Sequence, residues 1–464
     1  MPQGTTPPTD VPVEPVSLAD ATRIWAKIGW LSFGGPAGQI ALMHREFVER
    51  RRWISESRLL HALNYCMLLP GPEAQQLAVY IGWLLHRSRG GIIAGTLFVL
   101  PGFLTMLVLS ALYARYQQLP VIGAVFFGLK AAVLAIVVEA VLRIGRRALK
   151  SRMLVAIAGA AFVAIFVFHI PFPLIVFGAG LTGYLAYRFI PPSISPPSPD
   201  DGGGDRHFLI DRLLAEGKLD HIASSRRRSL TVLVVCLTLW FAPVAVLTLW
   251  LGRSHVLTQE GLFFSKSAVV TFGGAYAVLG YIAQRAVEHF GWLTPGDMLD
   301  GLALAETTPG PLIMVTQFIG YLAAYRHAGG LDPDLAALLG AVITTWVTFV
   351  PSFLFIFVGA PFVETLRANR SLHAALSGIT AAVVGVILNL SLWFTLHTVF
   401  HGTQSVQWGG AQLDVPVWNT LDPAALALGV AALVAMLRLR LAMGWTLILS
   451  GIVGAAWQLW RMPV

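Results

Sequence analysis

The chain contains one stretch twice, and the breakers inside that stretch limit what the chain can fold into. Residues 33–72 align without a gap on residues 272–311, a constant offset of 239 (33 to 272). Phe33, Gly34, Gly35, Val48, Glu49, Trp53, Leu60, Leu63, Pro70, Gly71 and Pro72 match Phe272, Gly273, Gly274, Val287, Glu288, Trp292, Leu299, Leu302, Pro309, Gly310 and Pro311. After a small shift, Pro101 and Phe103 face Pro351 and Phe353, and Gly128, Ala131, Ala132 and Val133 face Gly378, Ala381, Ala382 and Val383. A chance likeness between apolar stretches would not keep an FGG and a PGP breaker at one separation. The chain is therefore one half-fold used twice, and every later assignment has to hold in both copies.

Apolar runs near the ~20 residues needed to cross a bilayer recur along most of the 464 residues. Apolar residues make up 56% and charged residues only 12%, about half the charged fraction of a soluble domain, which points to a polytopic membrane protein. The formal charge of +8 would suggest nucleic acid in a soluble chain. Here the basic residues gather between apolar runs and no groove-reading motif is present, so they are topology signals, the expected surroundings are a lipid bilayer, and no nucleic-acid partner is expected. Cys66 and Cys236 lie far apart in apolar segments, without the spacing of a disulfide framework or metal site, and are expected to be packing residues. No cofactor is expected.

The expected fold is all-α, with two inverted-topology repeats, each of two broken, re-entrant helical hairpins plus four helices. Residues 1–17, rich in Pro and Thr and lacking the pattern of a cleavable signal, are expected to be a disordered tail. The first repeat runs over 18–190, a cytoplasmic linker over 191–228, a connecting span over 229–252, and the second repeat over 253–464. Helices are expected near 92–115, 121–142, 153–170 and 172–190, and again near 335–358, 375–398, 421–438 and 443–460. The single unmatched span reverses the sidedness of the second repeat, and basic residues fit that inversion. The loop 143–152 holds Arg143, Arg146, Arg147, Lys150 and Arg152, while its partner at 400–420 has no Lys or Arg. The N-terminus and linker are thereby placed in the cytoplasm, with the protein in the inner membrane.

Each break follows from local backbone chemistry. Pro36 cannot continue the helix before it, and Gly34 and Gly35 permit a sharp reversal; Pro70, Gly71 and Pro72 do the same one hairpin later. Arms of ~14 residues at ~1.5 Å rise span roughly 21 Å, short of a ~30 Å hydrocarbon core, so the arms are expected to re-enter and meet at their tips. In transporters of inverted repeats, broken helices mark the substrate site, and half-helix N-termini present N–H groups to anions. The turns after the breaks hold Ala37 to Gln39, Glu73 to Gln76 (with Gln75 and Gln76) and Leu312 to Gln317.

Ionisable residues inside apolar helices are functional candidates. Lys130 and Glu139 lie on one expected helix, and Glu73 directly follows a PGP break; all three are candidate coupling groups, although Glu73 also suits a helix N-terminus as a fixed charge. Glu306, just before the second PGP, carries the same two readings. Gly178, Gly180 and Gly183 match GxGxxG but sit inside an apolar helix without a preceding strand, which suits helix packing better than dinucleotide binding. Trp25, Trp30, Trp53, Trp83, Trp292, Trp445, Trp457 and Trp460 are expected to be interfacial anchors.

At FGGPAGQIALMHREFVERRRWIS and LLPGPEAQQLAVYIGW, repeated as FGGAYAVLGYIAQRAVEHFGWLT and TTPGPLIMVTQFIGY, the sequence resembles the chromate ion transporter family, over nearly the whole chain outside tail and linker. The resemblance implies a long two-domain member that exports chromate from the bacterial cytoplasm, driven by the proton-motive force and giving chromate resistance, with a link to sulfate transport. The motif positions fall on Phe33, Gly34, Gly35, Pro36, Pro70, Gly71 and Pro72, and on Phe272, Gly273, Gly274, Pro309, Gly310 and Pro311, with Ala275 in place of the proline after the second FGG. The alternatives are a sulfate or other oxyanion transporter or channel, and a membrane-bound chromate reductase, for which no flavin, haem or thiol motif is present. The expected partners are chromate, sulfate, the bilayer and, as a homodimer, a second copy of the chain.

Overall fold

The computed structural model describes residues 16–189, 208–217, 219, 226–272, 274–362, 370–408 and 411–461. Gly273, nearly all of the expected tail and most of the linker lie outside the described residues.

Helix α1 (Leu18–Leu31) starts where the Ser17 side chain accepts the Asp20 amide, and it stops at the FGG turn. Gly34, left-handed at φ +85°, opens α2 (Gly35–His44), with Pro36 in the first turn, where its missing N–H costs nothing. That helix widens into a π turn at Arg45–Arg50 and is followed by α3 (Glu56–Leu68). Past the PGP break, α4 (Glu73–Tyr116) joins the second arm of that break and the expected helix near 92–115 into one element, kinked at His86 and Arg87. Helices α5 (Pro120–Ala148), α6 (Arg152–Phe166) and α7 (Phe172–Phe189) complete the first half. A short α8 (Leu209–Ala215) and a long α9 (Arg226–Leu251) connect to the second.

The second half runs through α10 (Val256–Val269), α11 (Ala275–Gln284), a π turn at Arg285–His289, α12 (Pro295–Thr307) and α13 (Val315–Arg326). Helices α14 (Pro333–Gly359), α15 (Arg370–Val399), α16 (Pro423–Leu437) and α17 (Met443–Arg461) complete it. Among the described residues, α4, α5, α9, α14 and α15 are long and apolar enough to cross a membrane, and α6 and α16 are shorter apolar helices. Large apolar side chains such as Leu249 and Phe177 point outward, as lipid-facing surface requires.

Backbone bonds recur at the sequence offset. Trp53 N–H donates to the Phe47 carbonyl at 2.7 Å and Trp292 to Ala286 at 2.9 Å; Arg51 donates to Glu46 at 3.2 Å and Phe290 to Arg285 at 2.9 Å. Each π turn thus closes on the same pair of bonds in both halves.

Several expectations need correction. Trp25, Trp53, Trp83 and Trp292 are buried rather than interfacial. Trp25 packs on Phe47 at 4.7 Å, and Phe47 stacks on Trp53 at 5.2 Å, so these rings bind the first hairpin together. The supposed loop 143–152 is helical as far as Ala148, which puts Arg143 on α5. The 400–420 segment departs from the all-α expectation: β1 (Thr403–Trp408) pairs antiparallel with β2 (Ala411–Pro416), and the sequence between them is Gly409–Gly410, a dipeptide that favours tight hairpins. The linker is docked where it is described. Leu209 and Ile210 donate to the Arg52 and Trp53 carbonyls at 3.0 and 2.9 Å, and buried Asp211 accepts from the Ser55 amide and, at 2.8 Å, from Arg58 Nε.

Candidate substrate site at the helix breaks

The breaks of one half are bonded to those of the other. Gly71 N–H, in the first PGP, donates to the carbonyl of Thr271 beside the second FGG at 2.8 Å. Gly310 N–H, in the second PGP, donates to the carbonyl of Ser32 beside the first FGG at 2.9 Å. These are one bond repeated at the offset of 239 (71 to 310, 32 to 271), so each PGP reads the FGG turn of the opposite half.

Positive φ angles make these turns, at +85° and +68° for Gly34 and Gly35, +122° for Gly71, +95° for Gly274 and +94° for Gly310. The hydroxyls of Ser32 and Thr271 donate back one turn to the Ile28 and Ser267 carbonyls, at 2.7 and 2.6 Å, closing the ends of α1 and α10 alike. The helices behind the turns come close. A Cβ on Gly71 would stand 2.8 Å from both Gln76 Nε2 and Ser352 Oγ, and one on Gly102 would stand 2.6 Å from the Pro309 carbonyl oxygen. Pro36, Pro70 and Pro72 flank these turns, Pro309 and Pro311 hold the equivalent places, and Pro72 is the residue before the first turn of α4.

Glutamines surround the junctions. Gln39 Nε2 donates to the Gly310 carbonyl at 2.6 Å, Gln76 Nε2 to Pro70 at 2.7 Å and Gln317 Nε2 to Phe103 at 3.0 Å. Among the described residues, the Oε1 atoms of all three are buried without a hydrogen-bond partner, and Gln75, fully buried, has neither amide atom bonded. Glu73 turns toward the other half: a Cβ on Gly274 would lie 4.0 Å from Glu73 Oε1. The first FGG turn is more open than either PGP. Phe33 is 49% exposed and Gly34 is exposed, whereas Gly71, Pro72, Gly310 and Pro311 are buried. Amide donors and half-helix N-termini can hold an oxyanion without a buried cation.

Lys130 and Glu139 are not free at the breaks. Lys130 Nζ lies 3.3 Å from Asp300 Oδ2, and Asp300 also accepts from the Tyr113 hydroxyl at 2.8 Å. Glu139 is bound by two nitrogens of Arg143 one turn later. Glu306 accepts the Tyr276 hydroxyl, tying the end of α12 to the first turn of α11. Outside these, Glu46 gathers Lys27 at 3.1 Å and Arg50 at 2.8 Å at the end of the first hairpin. Burial pushes the Glu46 carboxyl up, but these two cations outweigh it and hold it below the usual glutamate range. The partnership of Ser32 and Thr271 with the opposite PGP is not visible in one half alone; the signal present was a small hydroxyl residue just before FGG at the same repeat position.

Polytopic, largely helical and broken in pairs, the molecule is of a membrane-transport class. The family model described as "Chromate transporter" matches residues 19–184 and 258–455, leaving out the tail, the stretch from the end of α7 through the linker and α9 to the start of α10, and the last residues. The chain belongs to the chromate transporter family. It is similar to a chromate transport protein of Pseudomonas aeruginosa, with 36% identity over 386 residues covering 82% of this chain and 81% of that protein. A chromate transport protein of Cupriavidus metallidurans shares 28% over 377 residues, covering 80% and 81%. The family and these relatives are transporters, not enzymes. No solved structure matches the chain significantly.

Proposed function

We propose that this protein moves chromate out of the cytoplasm across the inner membrane, driven by the proton-motive force, and so gives chromate resistance. On this reading the halves are inverted repeats with the N-terminus and linker in the cytoplasm. The pairs α1–α2, α3 with the start of α4, α10–α11 and α12–α13 are re-entrant, and their tips form the chromate site. The observation that carries the reading is the reciprocal bond between each PGP and the opposite FGG, in a chain of this family.

Other observations support it. The arms α1, α2, α3, α10, α11, α12 and α13 have 10 to 14 residues, too short for a ~30 Å core. Backbone that leaves the helix at membrane depth must be buried in protein or line a cavity. Of the coupling candidates, Glu73 beside Gly274 keeps that role, while Lys130 and Glu139 act as paired structural charges. Labelled chromate is expected to accumulate in everted vesicles carrying the protein and to be lost on adding an uncoupler. No accumulation defeats export, and flux indifferent to the uncoupler favours a channel.

Sulfate binding belongs to the same reading. Chromate and sulfate are both tetrahedral dianions, and N–H donors discriminate poorly between them. A large excess of sulfate is expected to suppress labelled chromate uptake; uptake unaffected by sulfate counts against an amide-lined site.

A further inference from the structure

Helix α10 buries a carboxyl group that the junctions do not use. Glu260 is 0% exposed, and neither of its oxygens has a hydrogen-bond partner among the described residues. Thr258 on the same helix and Thr344 on α14 are equally buried, and their hydroxyls are also unpartnered. Space for the carboxyl comes from a glycine: a Cβ on Gly340 would lie 3.1 Å from Glu260 Oε2. Gly340 belongs to the crossing of α13 and α14, where a Cβ on Gly320 would meet the Gly340 carbonyl oxygen at 2.8 Å and the reverse distance is 2.5 Å. The first half has the same crossing at Gly82 and Gly90, at 2.5 and 2.2 Å. There the position equivalent to Glu260 (260 less 239) is Ala21, so only one half carries the acid.

Among the described residues, no charge is paired with it. On α10, His255 caps the helix by accepting the Leu257 amide, and Lys266 lies beyond the next turn. From α9, Val244 packs against Gly261; the titratable groups of that helix are Cys236 and the arginines Arg226, Arg227 and Arg228 of its first turn. On α13, Tyr321 stacks with Tyr325 and Arg326 is bound to Asp297; on α14, Asp334 is bound to Arg115. None of these groups is hydrogen-bonded to Glu260 among the described residues. An ionised carboxylate in such a place costs several kcal/mol, whereas a protonated one is tolerated.

We propose that Glu260 is a proton-binding site, protonated in the arrangement seen here and released when the contact between α10 and α14 opens to water. A group with a different proton affinity in two conformations couples proton movement to the cycle that exchanges them. This inference rests on the transport reading above and adds to Glu73 a second residue through which protons drive it.

The test uses the full-length protein in liposomes. Infrared spectra at neutral pH are expected to contain a protonated-carboxyl band that disappears in Glu260→Gln; a band unchanged by the substitution overturns the proposal, whatever the substrate proves to be. In the second arm, an imposed pH gradient is expected to change wild-type chromate flux about tenfold, within the usual range of coupling energies, and to leave Glu260→Gln flux unchanged. Glu260→Asp, which keeps a carboxyl, is expected to regain part of the response. A wild-type response in Glu260→Gln overturns the proposal, as does loss of all flux in that variant at normal membrane abundance. Absence of chromate flux in the wild type defeats the chromate reading instead, and the infrared arm still decides Glu260.

Discussion

Gly71→Leu is expected to reduce chromate transport to background while the protein still reaches the membrane in normal amount. Three costs fall on one residue. Gly71 sits at φ +122°, outside the region open to L side chains, which costs about 1–3 kcal/mol for a non-glycine residue. Its Cβ would stand 2.8 Å from Gln76 Nε2 and from Ser352 Oγ, so those two side chains must swing aside, and Gln76 then gives up its bond to the Pro70 carbonyl. Its N–H donates to Thr271, and a leucine backbone that leaves φ +122° turns that N–H away and breaks the bond between the halves. Insertion depends instead on the long apolar helices, which the substitution does not touch. Gly34→Ala is the comparison, because nothing lies within 4 Å of a Cβ there and only the backbone cost at φ +85° remains. Chromate uptake in vesicles, normalised to the amount of protein in the membrane, separates the two. Wild-type uptake by Gly71→Leu removes the PGP turn from the transport path.

Glycine and proline act on their own backbone, so the breaks at Gly34, Gly35, Pro36 and Pro70 to Pro72 were legible from the chain alone, as were the apolar helices that became α4 to α7 and α14 to α17. What sequence does not carry is the identity of a partner far along the chain. Lys130 looked like an unpaired intramembrane cation because Asp300 is remote in sequence. Glu139 and Arg143 are four apart, a spacing that places them together on one helix face; ending the helix at 142 separated them. Trp25, Trp53 and Trp83 read as interfacial because an indole suits either a bilayer boundary or a core, and only the packing on Phe47 and within the hairpin decides. The β1–β2 hairpin has its signal in Gly409–Gly410 between residues of strand-like alternation, in a segment without Lys or Arg. The meeting of Gly71 with Thr271 and of Gly310 with Ser32 lay beyond sequence, because a repeat shows that two halves are alike without showing how they are joined.

Gln75→Leu is expected to weaken chromate binding while leaving the protein as stable as before, or more so. Gln75 is 0% exposed, three residues past the first PGP, and both of its amide atoms are buried without partners among the described residues. An unsatisfied buried polar group costs about 1–3 kcal/mol, so an apolar side chain of similar size relieves that cost. The site accepts such a side chain: three residues past the second PGP stands Met314, also 0% exposed. If the amide serves the anion, its loss removes a hydrogen bond to a charged group, about 1.5–3 kcal/mol or roughly a 10- to 150-fold rise in the chromate concentration for half-maximal transport. Opposite shifts in binding and stability mark a ligand-binding residue, because a packing residue loses both together. Half-maximal transport at the wild-type concentration, with raised thermal stability, makes Gln75 a core residue and moves the anion to the backbone N–H groups of the half-helix N-termini.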